Sequence, residues 1–139
     1  MNVGIYLYSY ATSASDGEYE ANAMLEWMSG KKFEYPIYYD IEEGSIFTSG
    51  ITNEIARGFC TVMEGHKYFA GIYSSTSALN SYFDSDVKTR YSIWVAQWYS
   101  ECTYEGDYGV WQYTSDGSVP GIGGRVDMDY AYVDFPTVM

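Results

Sequence analysis

Asp40 and Glu42 close the stretch Tyr35-Pro36-Ile37-Tyr38-Tyr39-Asp40-Ile41-Glu42, whose aromatic and β-branched residues predict a strand. Pro36 is compatible with a first strand position. Side chains two apart share one face of a strand, so Asp40 and Glu42 are expected to project together with Tyr38. Ionising one of two neighbouring carboxylates raises the pKa of the other. A protonated acid then stands beside an ionised partner, which is the pairing that glycosidic bond cleavage uses. Glu43 adds a third negative charge. The same Asp-x-Glu is also what a solvated loop start looks like.

Two further groups carry chemistry. Val126-Asp127-Met128-Asp129-Tyr130 alternates acids through an apolar strand. Acids at buried strand positions need a partner or a function, whereas on an edge strand they guard against aggregation. The aromatic strands Tyr91 to Trp98 and Gly109 to Thr114 set Trp94, Trp98, Trp111 and Tyr113 beside the amides of Gln97 and Gln112. Such groups suit stacking on a pyranose and hydrogen bonding to its hydroxyls or acetamide. Strands alternate faces, so about half of these side chains must instead pack in a core.

The remaining reactive residues are sparse. Cys60 and Cys102 lie far apart in no metal-ligand spacing, and His66 is the only histidine, which argues against a zinc site or a histidine-based triad. Buried free thiols are expected. Gly121-Ile122-Gly123-Gly124 lacks the lysine of a phosphate loop and reads as a turn. Neither a metal nor an organic cofactor is expected.

These side chains must be positioned by a chain of 139 residues, long enough for one domain with a sizeable core. Hydrophobic residues make up 47% and the formal net charge is -12, which argues against a nucleic-acid partner and against charge-driven docking on a membrane. No apolar run approaches the ~18 residues of a membrane span. The first residues carry no basic segment, so no signal peptide is read there. The 17 Tyr are the outstanding feature; they fit either a wet aromatic cleft or simple β propensity.

Apolar patterning predicts a strand over 3–10, a helix from Ser15 closed by Gly30, and the strand over 35–42. A second helix is expected over 49–66, capped by Thr48 or Ser49, then a strand over 67–74 and a short helix over 77–83. Strands over 92–99, 109–114 and 126–132 follow, joined by turn clusters. Gly4-Ile5-Tyr6, Gly71-Ile72-Tyr73 and Gly109-Val110-Trp111 open strands alike. The expected fold is α/β: an incomplete (β/α) TIM-type barrel of about six strands on a parallel sheet, with three helices early in the chain and the last strands joined by loops.

The blocks Val3 to Ala11, Tyr35 to Glu42, Gly71-Ile72-Tyr73-Ser74-Ser75, Trp94-Val95-Ala96-Gln97 and Trp111-Gln112-Tyr113-Thr114-Ser115 resemble the glycoside hydrolase family 25 lysozymes. Val119-Pro120-Gly121-Ile122 followed by Val126-Asp127 completes the series, in the family's order across essentially the whole chain. The resemblance implies a muramidase that cleaves the β-1,4 bond after N-acetylmuramic acid in peptidoglycan. It implies Glu42 as general acid, Asp40 as the group stabilising positive charge on the sugar, and Asp127 as support. The aromatic lining would fall among Tyr6, Tyr8, Tyr38, Trp94, Trp98, Trp111 and Tyr113, with strand parity leaving the subset open. An extracellular or cell-wall location follows from the same likeness.

In one respect the chain departs from that pattern. Family members begin with a strand carrying an Asp-Val-Ser-like segment and a second ending in Arg-Ala, and this chain starts at what resembles the third strand. Residues 1–139 are therefore expected to form a single truncated lysozyme-like domain without the first active-site aspartate. Open edges at its first and last strands predict a homo-oligomer, at least a dimer. A glycan-binding remnant without turnover is the rival expectation.

Overall fold

In the computed structural model, which describes residues 1–139, short strands rich in Ile, Val and Tyr alternate with helices that hide one face of a curled sheet. The elements are β1 (Ile5–Tyr8), α1 (Asp16–Met28), β2 (Ile37–Asp40), α2 (Gly44–Ser49), α3 (Thr52–Gly65), β3 (Ala70–Ser75) and α4 (Thr76–Tyr82). Then come α5 (Ser85–Arg90), β4 (Ser92–Ala96), β5 (Val110–Gly117), β6 (Val126–Ala131) and α6 (Phe135–Val138). The six strands lie in chain order, β1 to β5 parallel, and form the half-barrel expected from the sequence.

Several details differ from expectation. β6 runs antiparallel to β5, because the chain returns by a hairpin-like loop and not by a helical crossover. The helix expected over 49–66 is present as α3, and a short helix that the patterning does not predict, α2, precedes it. Gly50 adopts φ 74 between them and donates its N–H to Phe47 O, ending α2 in a left-handed cap. Neither Thr48 nor Ser49 caps α3; its N-cap is Ile51. Helices α5 and α6, and the early end of β2 at Asp40, are also beyond what the patterning predicts. Glu42 thus sits in the loop after β2, two residues past the strand.

The convex face carries the core. Ile37, Tyr39, Ile72, Ile93 and Val95 alternate along the strands and pack with Met24, Met28, Phe59 and Met63 from the helices in one cluster of 23 buried residues. The Tyr39 ring stacks on Phe59 with centroids 4.1 Å apart. Full burial of such a side chain stabilises by about 1.5–3 kcal/mol. At Gly17, a Cβ would stand 2.3 Å from Ile55 O, so only glycine lets α1 cross α3 this closely. The concave face is different in kind. Tyr6 of β1 meets Trp94 of β4 edge-on at 5.9 Å, across two intervening strands, which measures how tightly the sheet curls. The outer edges of β1 and β6 pair with no other strand.

Candidate active site

The C-terminal ends of the parallel strands open into a cleft of ≈ 330 Å³ lined by aromatic rings, Gln112 and the carboxylates of Asp40, Glu42 and Asp127. Strand ends of this kind are where barrel folds place ligands, because the following loops supply reactive groups to a rigid support. Asp40 is the last residue of β2 and only 4% exposed. Its backbone is pinned on both sides: Ser9 N donates to Asp40 O at 2.9 Å, and Ile41 N donates to Tyr73 O at 3.0 Å. Ser74 Oγ adds a 2.7 Å bond to Ile41 O. The carboxyl itself is less well provided for, since Oδ1 is buried without a partner.

Burial pushes the Asp40 carboxyl up to about 8, with the Glu42 charge and a hydrogen bond between the two carboxyls adding to the shift. Asp40 therefore holds a proton at neutral pH, and Glu42 is the exposed, cleft-facing member of the pair. The two carboxyls expected to project together both line this cleft, and burial displaces the Asp40 carboxyl upward. Glu43 turns aside and accepts a 2.7 Å bond from the Tyr8 hydroxyl, which raises that phenol and keeps it neutral.

Two hydrogen-bonded groups build the opposite wall. Tyr73 and Trp98 both donate to Gln112 Oε1, at 2.7 Å and 2.9 Å. Burial, then the charges of Glu42, Asp40, Asp127 and Asp129, raise the Tyr73 phenol, so it remains a donor. Trp94 Nε1 donates to Asp129 Oδ1 at 2.7 Å, and its ring meets Tyr38 at 5.2 Å and Tyr73 at 4.6 Å. Burial raises Asp129, the indole bond opposes the shift, and the Asp127 charge reinforces it.

Of the residues singled out in the sequence, Tyr6, Tyr8, Asp40, Glu42, Trp94, Gln112 and Asp127 come together in this cleft. Trp98 joins through Gln112 at the rim, 62% exposed. Tyr38 faces the same concave side but lines a neighbouring chamber of ≈ 410 Å³, with its ring over Gly71, where a Cβ would come within 2.5 Å. The other three lie elsewhere. Gln97 staples the loop after β4, bonding Thr103 N and Thr103 Oγ1 at 2.7 and 2.8 Å. Trp111 is buried in the convex core with its Nε1 on Gln97 O, and Tyr113 stacks on Tyr130 at 4.6 Å. Tyr73 and Tyr10 also line the cleft although the sequence reading does not place them there, and Asp129, one of the alternating acids of β6, stands against Trp94. Tyr73 shares the Gly-Ile-Tyr opening of β1, and Asp129 stands two residues from Asp127, so both signals were present.

No group of three or more His, Cys, Asp or Glu side chains is arranged to hold a metal ion, and no helix is long and apolar enough to cross a membrane. Comparison with known proteins places these features. Residues 1–122 match the family described as Glycosyl hydrolases family 25. Among solved structures, the chain is similar to the modular autolysin LytC from Streptococcus pneumoniae, with 28% identity and a TM-score of 0.79 over 89% of this chain and 32% of that one. The fold is also that of the CTP1L endolysin, at 23% identity and TM-score 0.80, covering 96% of this chain and 48% of that one. The catalytic domain of endolysin ply40 from bacteriophage P40 of Listeria monocytogenes matches at 23% identity and TM-score 0.75, over 99% and 70%. The chain thus spans about half the length of the CTP1L endolysin and a third of LytC. No curated protein matches the sequence.

Proposed function

We propose, from the premise that the chain belongs to glycosyl hydrolases family 25, that its cleft hydrolyses the glycan strands of peptidoglycan at the β-1,4 bond following N-acetylmuramic acid. The observation that carries this reading is the Asp40–Glu42 pair brought together in a cleft lined by aromatic rings, with burial raising the Asp40 carboxyl. Asp40 lines the cleft but is largely buried, whereas Glu42 is exposed. The shared proton therefore passes from Asp40 across the pair to Glu42 and on to the leaving glycosidic oxygen as the C1–O bond breaks. Asp40 is left anionic beneath the positive charge that develops on the sugar ring, and Asp127 faces the same charge from the β6 wall. Water adds to C1 and its proton returns to the carboxylates. Tyr6, Tyr8 and Trp94 supply faces for pyranose stacking.

Release of new reducing ends from purified peptidoglycan tests the reading, with Glu42→Gln as the control. Activity abolished by the substitution supports it. A folded wild-type protein that binds glycan and releases no reducing ends replaces it with a glycan-binding module. The site of action is the cell wall in either case. The unpaired β1 edge runs beside an apolar groove of Ile5, Leu7, Ala23, Met24 and Trp27, which supports association of two copies through that edge. A monomer mass in light scattering would rule the dimer out.

A further inference from the structure

Gln112 is held with its amide one way round. An indole N–H can only donate, so the atom facing Trp98 Nε1 at 2.9 Å must be the carbonyl oxygen. The Tyr73 hydroxyl donates to the same oxygen at 2.7 Å, and both acceptor positions are then filled. The other end of the amide is free. Gln112 Nε2 donates to no protein acceptor, although the residue is only 3% exposed. It is also absent from the sealed-in orphans, which are Glu34 Oε2, Tyr38 OH and Asp40 Oδ1. The small open part of Gln112 is therefore its N–H donor, presented to the cleft that the rings of Tyr73 and Trp94 also line.

We propose that Gln112 is a specificity-determining residue: its fixed amide donates to the acetamido carbonyl of an N-acetylhexosamine, whose methyl group packs on the adjoining aromatic rings. The inference rests on the glycan reading of the cleft. An acetamido group offers a strong neutral acceptor joined to an apolar methyl, which matches a rigid N–H donor flanked by aromatic faces. A de-N-acetylated sugar carries an ammonium there and sets donor against donor. The surrounding carboxylates, Glu42, Asp127 and Asp129, act in the opposite sense and attract the ammonium. Their attraction crosses an open, water-filled cleft and is screened, whereas the fixed amide faces its ligand directly. The acetylated sugar is the better ligand.

Binding of the N-acetylglucosamine tetramer and the glucosamine tetramer, followed by tryptophan fluorescence at pH 6 where the free amines are charged, tests this. The wild-type protein is expected to prefer the acetylated tetramer by about tenfold or more. Gln112→Glu keeps the size and still accepts from Tyr73 and Trp98, but removes the donor; it should abolish or invert the preference. Trp98→Phe, at an exposed position that does not threaten folding, frees the amide to rotate and should lower the preference several-fold. Equal binding or a preference for the charged tetramer in wild type overturns the proposal, as does no binding of either. A preference unchanged in both folded variants also overturns it. Reducing-end release from peptidoglycan is measured in parallel. An active protein without the preference sinks the role of Gln112 alone, and an inactive one with the preference intact sinks only the hydrolytic reading.

Discussion

The two faces of one sheet are built from alternating residues of the same strands, yet they are made of different chemistry. On the convex side, Ile37, Tyr39, Ile72, Ile93 and Val95 are at most 1% exposed and meet the helices as a dry layer. On the concave side, Tyr38, Asp40, Tyr73, Trp94 and Gln112 meet each other through hydrogen bonds and ring edges around open clefts. Both faces bury large side chains, so burial alone does not separate them. What separates them is that convex side chains have no polar atom left over, with the Tyr39 hydroxyl itself bonded to Glu20 and Ser9, whereas concave ones keep polar atoms without protein partners. Stability should be a property of the first face and chemistry of the second.

The largest change in stability is expected from the dry layer. Phe59→Ala removes the ring stacked on Tyr39 and should cost about 3–5 kcal/mol of unfolding free energy, read by denaturant titration. Per folded molecule, its glycan binding should be unaltered; a large binding defect would mean that the faces are not separable. Glu42→Gln tests the other side, with peptidoglycan turnover falling about a hundredfold or more while the melting temperature moves little, because Glu42 is exposed.

Asp40 is where the two properties meet. Its folded-state pKa is raised, so the native chain binds more protons than the unfolded one between about pH 4 and pH 8. Its contribution to stability is therefore full at the acid end and declines as the pH rises through that window. Asp40→Asn should stabilise the fold by a few kcal/mol at pH 8 and by little at pH 4, in thermal melts. It should also abolish turnover, and wild-type activity should fall above about pH 8 as the proton is lost. The smallest effect is expected outside both faces. Arg57 pairs with Asp84 and Asp86 at 2.9 and 3.0 Å on the helical surface, and Arg57→Ala should cost under about 1 kcal/mol, less in high salt.

Much of this contrast was legible in the sequence, because period-two alternation of Ile and Val with Tyr and Asp marks strands with two unlike faces. The strands and their two faces followed from it, whereas Asp40 and Glu42 meet across the strand end, Glu42 lying in the loop after β2. Phase was harder to read. Gly109-Val110-Trp111 opens like Gly4-Ile5-Tyr6 and Gly71-Ile72-Tyr73, yet Trp111 faces the core and Val110 the cleft chamber. A loop of residues 97–109 resets the phase, and no local pattern encodes that. Helix α2 leaves little mark in the sequence for a related reason: its six residues are too few to show a period, and Ile46 is its single buried side chain. The antiparallel return of β6 depends on where a polar loop leads the chain, which composition does not record.

The hydrogen bonds that clamp the end of β2 also have a consequence in time. Ser9 N on Asp40 O ties that residue to the chain leaving β1, while Ser9 Oγ and the Tyr39 hydroxyl close on Glu20 of α1. The Ile41 amide is held by Tyr73 O on the other side. None of these can open singly without exposing the rest, so this knot of backbone should move as one unit. In deuterium exchange, the amides of Ser9 and Ile41 should be among the last to label, at a rate set by unfolding of the whole chain, while the Ser100–Asp107 loop labels at once.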